Sequence, residues 1–582
     1  MKKWLAILLS LALSLGVGTT ALCEGYTEGT YTATTQGMMG PVTLDVTFTA
    51  DAIAAVTVTE QSETESIAGP ALERIPQDVV TYQSLGVDTV SGATITSAAI
   101  LAAVADAVTQ AGGNAEALKA VPVAKEAAEA FEKTADVVVI GAGGAGLAAA
   151  VQARDSGAQS VVLLEKLASI GGTTFTSQGV IGGYETNIAK KLDVHVTYEE
   201  MYDNLMGNAS YRLDPALTKI TVEKSGETID WLQDRIQMPF ADEIRVGYGP
   251  YQMMHVIEGA GAGMHEPFMN ALEAANVDLM LETRASEILM NADGSVKGVK
   301  AVKDGADVTI LCKSVVIATG GYAYNPELTV LLDPEKEGTM GIGFPGATGD
   351  GIIMASNVGA ALTHTNHMMC VLKDYEIMAE HGGNSNTANV SRFIAAPNLV
   401  LVGQDAKRFV DEKSGGYMTQ ELNVPVFDQM HKDGAGYVWA ISDAATLEAN
   451  GVKRGLDMAF ITADTPEALA ELMGLDPAAL AETIKSYNGY AEAGFDPEFK
   501  RTEMTALAAP YCAVAVMPCE IITYGGVARN ERAEVIRADG TSIPGLYVAG
   551  EASANSAYMG FTLSNCFTWG RIAGENAAAF AK

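Results

Sequence analysis

The run Asp136-Val-Val-Val-Ile-Gly-Ala-Gly-Gly-Ala-Gly146 places three glycines, Gly141, Gly143 and Gly146, directly after four apolar residues, and Glu165 follows nineteen residues later. A buried strand that turns sharply into a helix needs this spacing when a pyrophosphate must rest on the helix N-terminus. The first glycine bends the chain, the second lets backbone approach the phosphates, and the third lets helix pack on strand. Gly144 and Ala145 complete the turn. Glu165 ends a second apolar strand, Val161-Val-Leu-Leu, where its carboxylate is placed for ribose hydroxyls. The chemistry these residues point to is the holding of a dinucleotide. Just beyond Glu165 and Lys166 lies a second cluster of small and hydroxyl residues: Gly171, Gly172, Thr173, Thr174, Ser177 and Gly179. Two later apolar strands end in Thr319-Gly320 and in Gly550-Glu551. A separate constellation, Asp88-Thr-Val-Ser-Gly-Ala-Thr94, opens an apolar-periodic helix. Such a Ser/Gly/Thr turn offers backbone N–H groups to a phosphate, and it serves equally as a plain helix cap.

The elements around these residues follow from periodicity. Residues 30–35, 42–49 and 53–60 alternate and are rich in β-branched side chains, so three antiparallel strands are expected before the helix at 97–108. Residues 113–134, rich in Ala, Glu and Lys, read as a partly helical linker. From residue 135 onward strands and helices alternate as in a doubly wound fold, interrupted at 277–317 by what reads as an antiparallel meander.

With 582 residues the chain is too long for one ordinary domain, and 60 glycines imply many tight turns. Residues 1–23 have the form of a cleaved secretory signal: Lys2 and Lys3, an apolar run over 4–17, then small residues. Cys23 offers a site for a lipid, although Leu22 fits that reading poorly. The net charge is −34, becoming −36 when Lys2 and Lys3 leave, which excludes nucleic acid as a partner and suits an extracytoplasmic protein, secreted or at the cell surface. The six cysteines form no C-x-x-C pair, and no His/Cys/acid cluster has ligand spacing, so neither haem attachment nor a metal site is expected.

Two resemblances add to this. The Asp88–Thr94 motif is similar to that of covalent-FMN domains, where a dedicated flavin transferase esterifies the final threonine to the FMN phosphate, which implies covalent FMN at Thr94. The later glycine clusters resemble those of flavoproteins that bind FAD non-covalently. Pro345-Gly-Ala-Thr-Gly-Asp350-Gly, Lys407-Arg-Phe-Val-Asp-Glu412 and Ser564-Asn-Cys-Phe-Thr-Trp-Gly-Arg571 resemble segments of the fumarate reductase and succinate dehydrogenase flavoproteins. The implied architecture is α/β. A small α+β FMN-binding domain (25–112) and a linker precede a doubly wound, glutathione-reductase-like FAD-binding domain (135–361 and 519–582), and an α+β capping domain (362–518) is inserted in the latter. The chemistry implied is hydride exchange between FAD and an activated carbon, coupled to a proton from the opposite face.

The chain departs from that family where a dicarboxylate would be held. The proton-delivering arginine falls at Gly416 beside Tyr417, the substrate histidine at Ile522, and the clamping arginine near Phe561 and Thr562. A diacid needs fixed cations to offset its desolvation, so a larger, less charged unsaturated molecule is expected. Tyr417, Tyr558 and Tyr524 are the candidate catalytic groups, with Arg408 as the neighbouring cation; Arg408 reads equally as an ion pair with Glu412. Arg392, His364, His367, Lys373 and His381 are the other candidate donors. The leading expectation is an exported reductase that takes electrons from a membrane-side donor and passes them from FMN through FAD to a C=C bond, an electron sink for anaerobic respiration. A ketosteroid-type enone dehydrogenase running in reverse and a non-catalytic flavin carrier are the alternatives.

Overall fold

The computed structural model describes residues 25–123, 128–247, 249–381, 388–414, 420–452, 458, 460–555 and 560–582. The signal-like segment 1–23 lies outside them, as do Tyr417 and Tyr558. No helix among the described residues is long and apolar enough to cross a membrane.

The first module is a three-stranded antiparallel sheet, β1 (Gly29–Gln36), β2 (Pro41–Phe48) and β3 (Ile53–Glu60), in sequential order. Alternation on β2 turns Val42, Leu44, Val46 and Phe48 inward. Two helices, α1 (Glu65–Tyr82) and α2 (Thr94–Gln110), cover that face, with Ile75, Val79, Ile100 and Val104 in the shared core. Helix α1 occupies a stretch to which periodicity assigns no element, because Pro70 and Pro76 inside it disguise the pattern. Helix α2 starts at Thr94 rather than 97, so the end of the Ser/Gly/Thr motif is the first helical residue.

The main body is built on β4 (Phe131–Ile140), which begins ahead of the expected boundary at residue 135, then α3 (Gly144–Asp155) and β5 (Val161–Leu164). Helix α4 (Pro215–Asp234) follows. Then come β6 (Asp278–Met280), β7 (Thr283–Met290), β8 (Val296–Lys303) and β9 (Ala306–Ile317). Strands β6, β5, β4 and β9 are parallel, while β7, β8 and β9 form the antiparallel meander. Val137 and Val139 point into one core and Val138 and Ile140 into another, so both faces of the sheet are covered.

Beyond α5 (Asp350–Asn357), the strands β10 (Met368–Asp374), β11 (Val400–Val402), β12 (Val438–Asp443) and β13 (Tyr511–Thr523) form a second, antiparallel-paired sheet with its own cores. The chain then returns to the first sheet through β14 (Ser542–Val548), parallel to the end of β9. It ends in α6 (Thr562–Ala581), which packs closely on α3: a β-carbon on Gly570 or Gly574 would lie 2.3 Å from the carbonyl oxygen of Ala145 or Ala149.

Candidate functional site

The turn from β4 into α3 divides its labour among the three glycines. Gly141 has φ +99°, and a β-carbon there would lie 2.5 Å from the Ala318 oxygen. One on Gly146 would lie 1.8 Å from the Gly141 oxygen, so only a bare helix fits against this strand. Gly143 differs: the nearest atom to its β-carbon would be the Gly171 oxygen at 3.8 Å. Its open side faces a cavity that it lines, which is where a pyrophosphate can meet the N–H groups of the helix start.

Glu165 forms one wall of that cavity. Its Oε2 accepts from Ala142 N at 2.9 Å and its Oε1 from Leu167 N at 2.9 Å, so the carboxyl is fixed by backbone. Burial raises its pKa, partly offset by those hydrogen bonds. Lys166 Nζ donates to Thr348 Oγ1 at 2.6 Å and to Asp350 Oδ2 at 3.0 Å, and Arg284 Nη2 reaches Asp350 Oδ1 at 2.8 Å. Burial alone would raise the Asp350 pKa, but the two cations hold it below the ordinary value. Glu551 also lines the cavity; its Oε1 accepts from Thr523 N at 2.9 Å, and burial pushes its pKa up to about 7.

Of the residues expected from sequence at a dinucleotide, Gly141, Gly143, Gly144, Ala145, Glu165, Lys166, Gly172, Thr173, Thr174, Thr319, Gly320, Asp350, Gly550 and Glu551 all line this one cavity. Five others support it from outside the lining. Gly146 packs the helix. Gly171 N donates to Ala142 O at 2.8 Å, and Gly171 has φ +113°. Ser177 bonds Thr174 O, Gly179 lies against Ala260, and Ser564 donates to Gly182 O at 2.6 Å. Thr283, Arg284, Phe344 and Cys566 also line the cavity and escape sequence reasoning, since they come from the meander, the α5 approach and α6. The lining fits FAD: a glycine cradle, a fixed ribose acid, and a Thr319 hydroxyl that is buried with no hydrogen-bond partner among the described residues.

The module carrying Thr94 sits on the same wall. Ala168 N donates to Ser91 O at 3.4 Å, Gly92 lies against Leu167, and Arg74 pairs with Glu282 at 2.7 Å. Leu167 also lines the cavity. In the first turn of α2, Thr96 donates to Glu63 at 2.5 Å and Ser97 to Ala93 O at 2.9 Å. Thr94 is exposed. The turn therefore leaves its hydroxyl open to an attached group, as an FMN phosphate ester requires.

Beyond the cavity, Arg408 is not free to meet a small molecule. It donates to both carboxylate oxygens of Glu412 at 2.8 Å and reaches Asp496 at 2.9 Å, while Arg501 approaches Glu412 at 2.6 Å; the four side chains are at most 3% exposed. The Arg and Glu of the Lys-Arg-Phe-Val-Asp-Glu signature thus belong to a buried ion network beside the second sheet. Arg392 donates to Gly451 O at 2.9 Å, and burial lowers the Lys373 pKa to about 8. Tyr524 is buried beside His367, ring centres 5.1 Å apart, in a cluster with Leu213, Met369 and Ile522. Burial, with Arg212 and His364 nearby, lowers the His367 pKa to about 4, so it stands neutral. Phe561 points elsewhere, into an apolar cluster with Met201, Leu205 and Met254. The side chain of His381 lies outside the described residues.

Comparison with known proteins gives a concordant picture. The FAD binding domain matches residues 136–564 and the FMN-binding domain residues 37–109. The chain is 30% identical to the NADH:acrylate oxidoreductase of Vibrio harveyi over 95% of its own length, spanning 61% of that protein. It is 30% identical to the urocanate reductase of Eggerthella lenta over 97% of its length, spanning 94% of that enzyme. A flavocytochrome c3 fumarate reductase in an open conformation aligns at a TM-score of 0.64 and 28% identity, over 77% of this chain and 79% of the other.

Proposed function

We propose, for a chain that belongs to the fumarate-reductase-like FAD flavoproteins and carries an FMN-binding domain, that it is an exported reductase of the carbon–carbon double bond of an unsaturated organic acceptor other than fumarate. When bound, FMN on Thr94 supplies electrons and FAD in the glycine-cradled cavity supplies the hydride. The observation that carries this reading is the junction of the two halves: the turn holding Thr94 packs on Leu167, and Leu167 is itself a lining residue of the cavity.

The protein's own residues set the rest. Glu165 and the β4–α3 turn anchor the dinucleotide, and Glu551 lines the same cavity. The surface carrying Ile522, Tyr524 and Met369 is apolar and excludes water. Among the described residues, this cluster holds no paired cations that would offset desolvation of a small diacid. Arg212 and the neutral His367 leave room for a single anionic or polar handle, which suits enoates such as those acted on by the acrylate and urocanate enzymes. Tyr417 and Tyr558 are the proposed proton donors, with Tyr524 orienting substrate. The signal-like residues around Lys2 and Lys3 support an extracytoplasmic reading, in which a flavin transferase attaches FMN and a membrane-side donor reduces it. Anaerobic assay of the full chain with reduced viologen against enoates, enones and fumarate tests the reading: turnover of an enoate or enone, with fumarate slow, supports it, and fast fumarate turnover defeats it.

A further inference from the structure

Arg529 takes part in none of the contacts described so far. It is 5% exposed, and none of its three guanidinium nitrogens has a hydrogen-bond partner among the described residues. Its contact is the ring of Trp569, with the guanidinium carbon 3.5 Å from the ring centre. Arg408 and Arg501, equally buried, are each tied to carboxylates. An unpaired cation in a dry interior is costly, and a fold keeps one only where something offsets it.

Its place suggests what that is. Trp569 lies on α6 one turn beyond Cys566, and residues three apart share a helix face. Cys566 lines the FAD cavity next to Gly550 and Glu551. Arg529 therefore stands behind the cavity wall, screened from water. The groups in electrostatic range of it are Cys566 and Asp214. The Cys566 thiol is neutral, its pKa pushed up to about 12 by burial. The Asp214 carboxylate lies at the surface, accepting from Ala216 N and Leu217 N at the start of α4. Asn565, on the same turn of α6, is buried with both amide atoms unpartnered among the described residues, and none of those residues forms an ion pair with Arg529.

We propose that Arg529 is a fixed positive charge behind the FAD cavity that raises the reduction potential of the bound flavin. When two electrons and one proton enter, the flavin gains one negative charge, and a desolvated cation behind the wall stabilises that state without touching it. The inference rests on FAD filling this cavity, and the test measures FAD content separately from potential. Arg529→Met and Arg529→Lys are made in the full chain carrying Thr94→Ala, so that FAD is the flavin observed, and each is titrated anaerobically against a redox dye. Arg529→Met is expected to hold a full complement of FAD and to unfold no earlier than its parent, since it removes an unpaired charge. At fixed poise its ratio of reduced to oxidised FAD falls about tenfold, roughly 30 mV for a two-electron couple, while Arg529→Lys stays within about twofold of the parent. A ratio unchanged in Arg529→Met, an equal fall in both variants, or loss of FAD from both overturns the proposal.

Discussion

Gly143 and Gly146 lie three residues apart and invite the same substitution, yet the structure predicts opposite consequences. A β-carbon on Gly146 would sit 1.8 Å from the Gly141 oxygen, roughly 1.5 Å inside contact distance. Relieving that overlap means lifting α3 off β4, and overpacking of this kind costs about 3 kcal/mol. Gly146→Ala should therefore lower the unfolding midpoint of the FAD-free protein. Gly143 has φ −77° and ψ −178°, open to any residue, and its β-carbon would meet nothing nearer than 3.8 Å. There the gain from a stiffer unfolded chain and the loss of a glycine cap nearly cancel, leaving stability within about 1 kcal/mol of the parent. The same methyl group enters the space where the pyrophosphate must approach, and FAD affinity should fall about 100-fold, an overpacking cost of about 3 kcal/mol. Thermal unfolding of FAD-free protein and titration with FAD followed by flavin fluorescence separate the two effects. A Gly143→Ala protein that binds FAD as tightly as the parent would refute the assignment of this turn as the phosphate cradle.

Two further outcomes follow from buried charge. Glu412 receives both Arg408 and Arg501, so Glu412→Gln removes the carboxylate they share, leaving Asp496 to Arg408 and the more distant Asp411 to Arg501, and should cost about 3 kcal/mol; a thermal midpoint equal to the parent's would contradict the network's role. Glu520, held by Thr329 and Thr339, has its pKa raised to about 7 by burial. A raised carboxyl binds its proton more tightly folded than unfolded, so its contribution to stability is present below about pH 4.5 and is lost as pH rises toward 7. Glu520→Gln should therefore gain on the parent by about 3 kcal/mol between pH 4.5 and 7, read from unfolding at both ends; a difference flat with pH would contradict it.

What could be read in advance, and what could not, divides along sequence distance. The roles of Gly141, Gly143 and Gly146 are local, set by one turn, and Glu165 is fixed by the strand beside it, so residue order sufficed for both. The meander of β7, β8 and β9 shows in alternation and turn residues for the same reason. Helix α1 did not, because Pro70 and Pro76 override the apolar period that would reveal it. Arg408 shows one partner four residues on, but Asp496 and Arg501 reach it only through the fold of the second sheet. Phe561 stood near an expected arginine position, yet its ring turns into the cluster around Met254, so its chemistry at that position says little about substrate. Arg529 is invisible in sequence, one charge in a polar run after Gly525 and Gly526, since its burial depends on Trp569 forty residues away.

The central claim is that two flavins act in series toward a double bond, and counting electrons tests it most directly. The full chain, reduced completely with viologen and freed of excess reductant, is mixed once with an enoate or enone that it turns over, and saturated product is counted per chain. Two product molecules per chain, falling to one in Thr94→Ala, is the predicted result, each flavin storing one pair of electrons. One product molecule from both proteins would show that the Thr94 module contributes no electrons to the reaction.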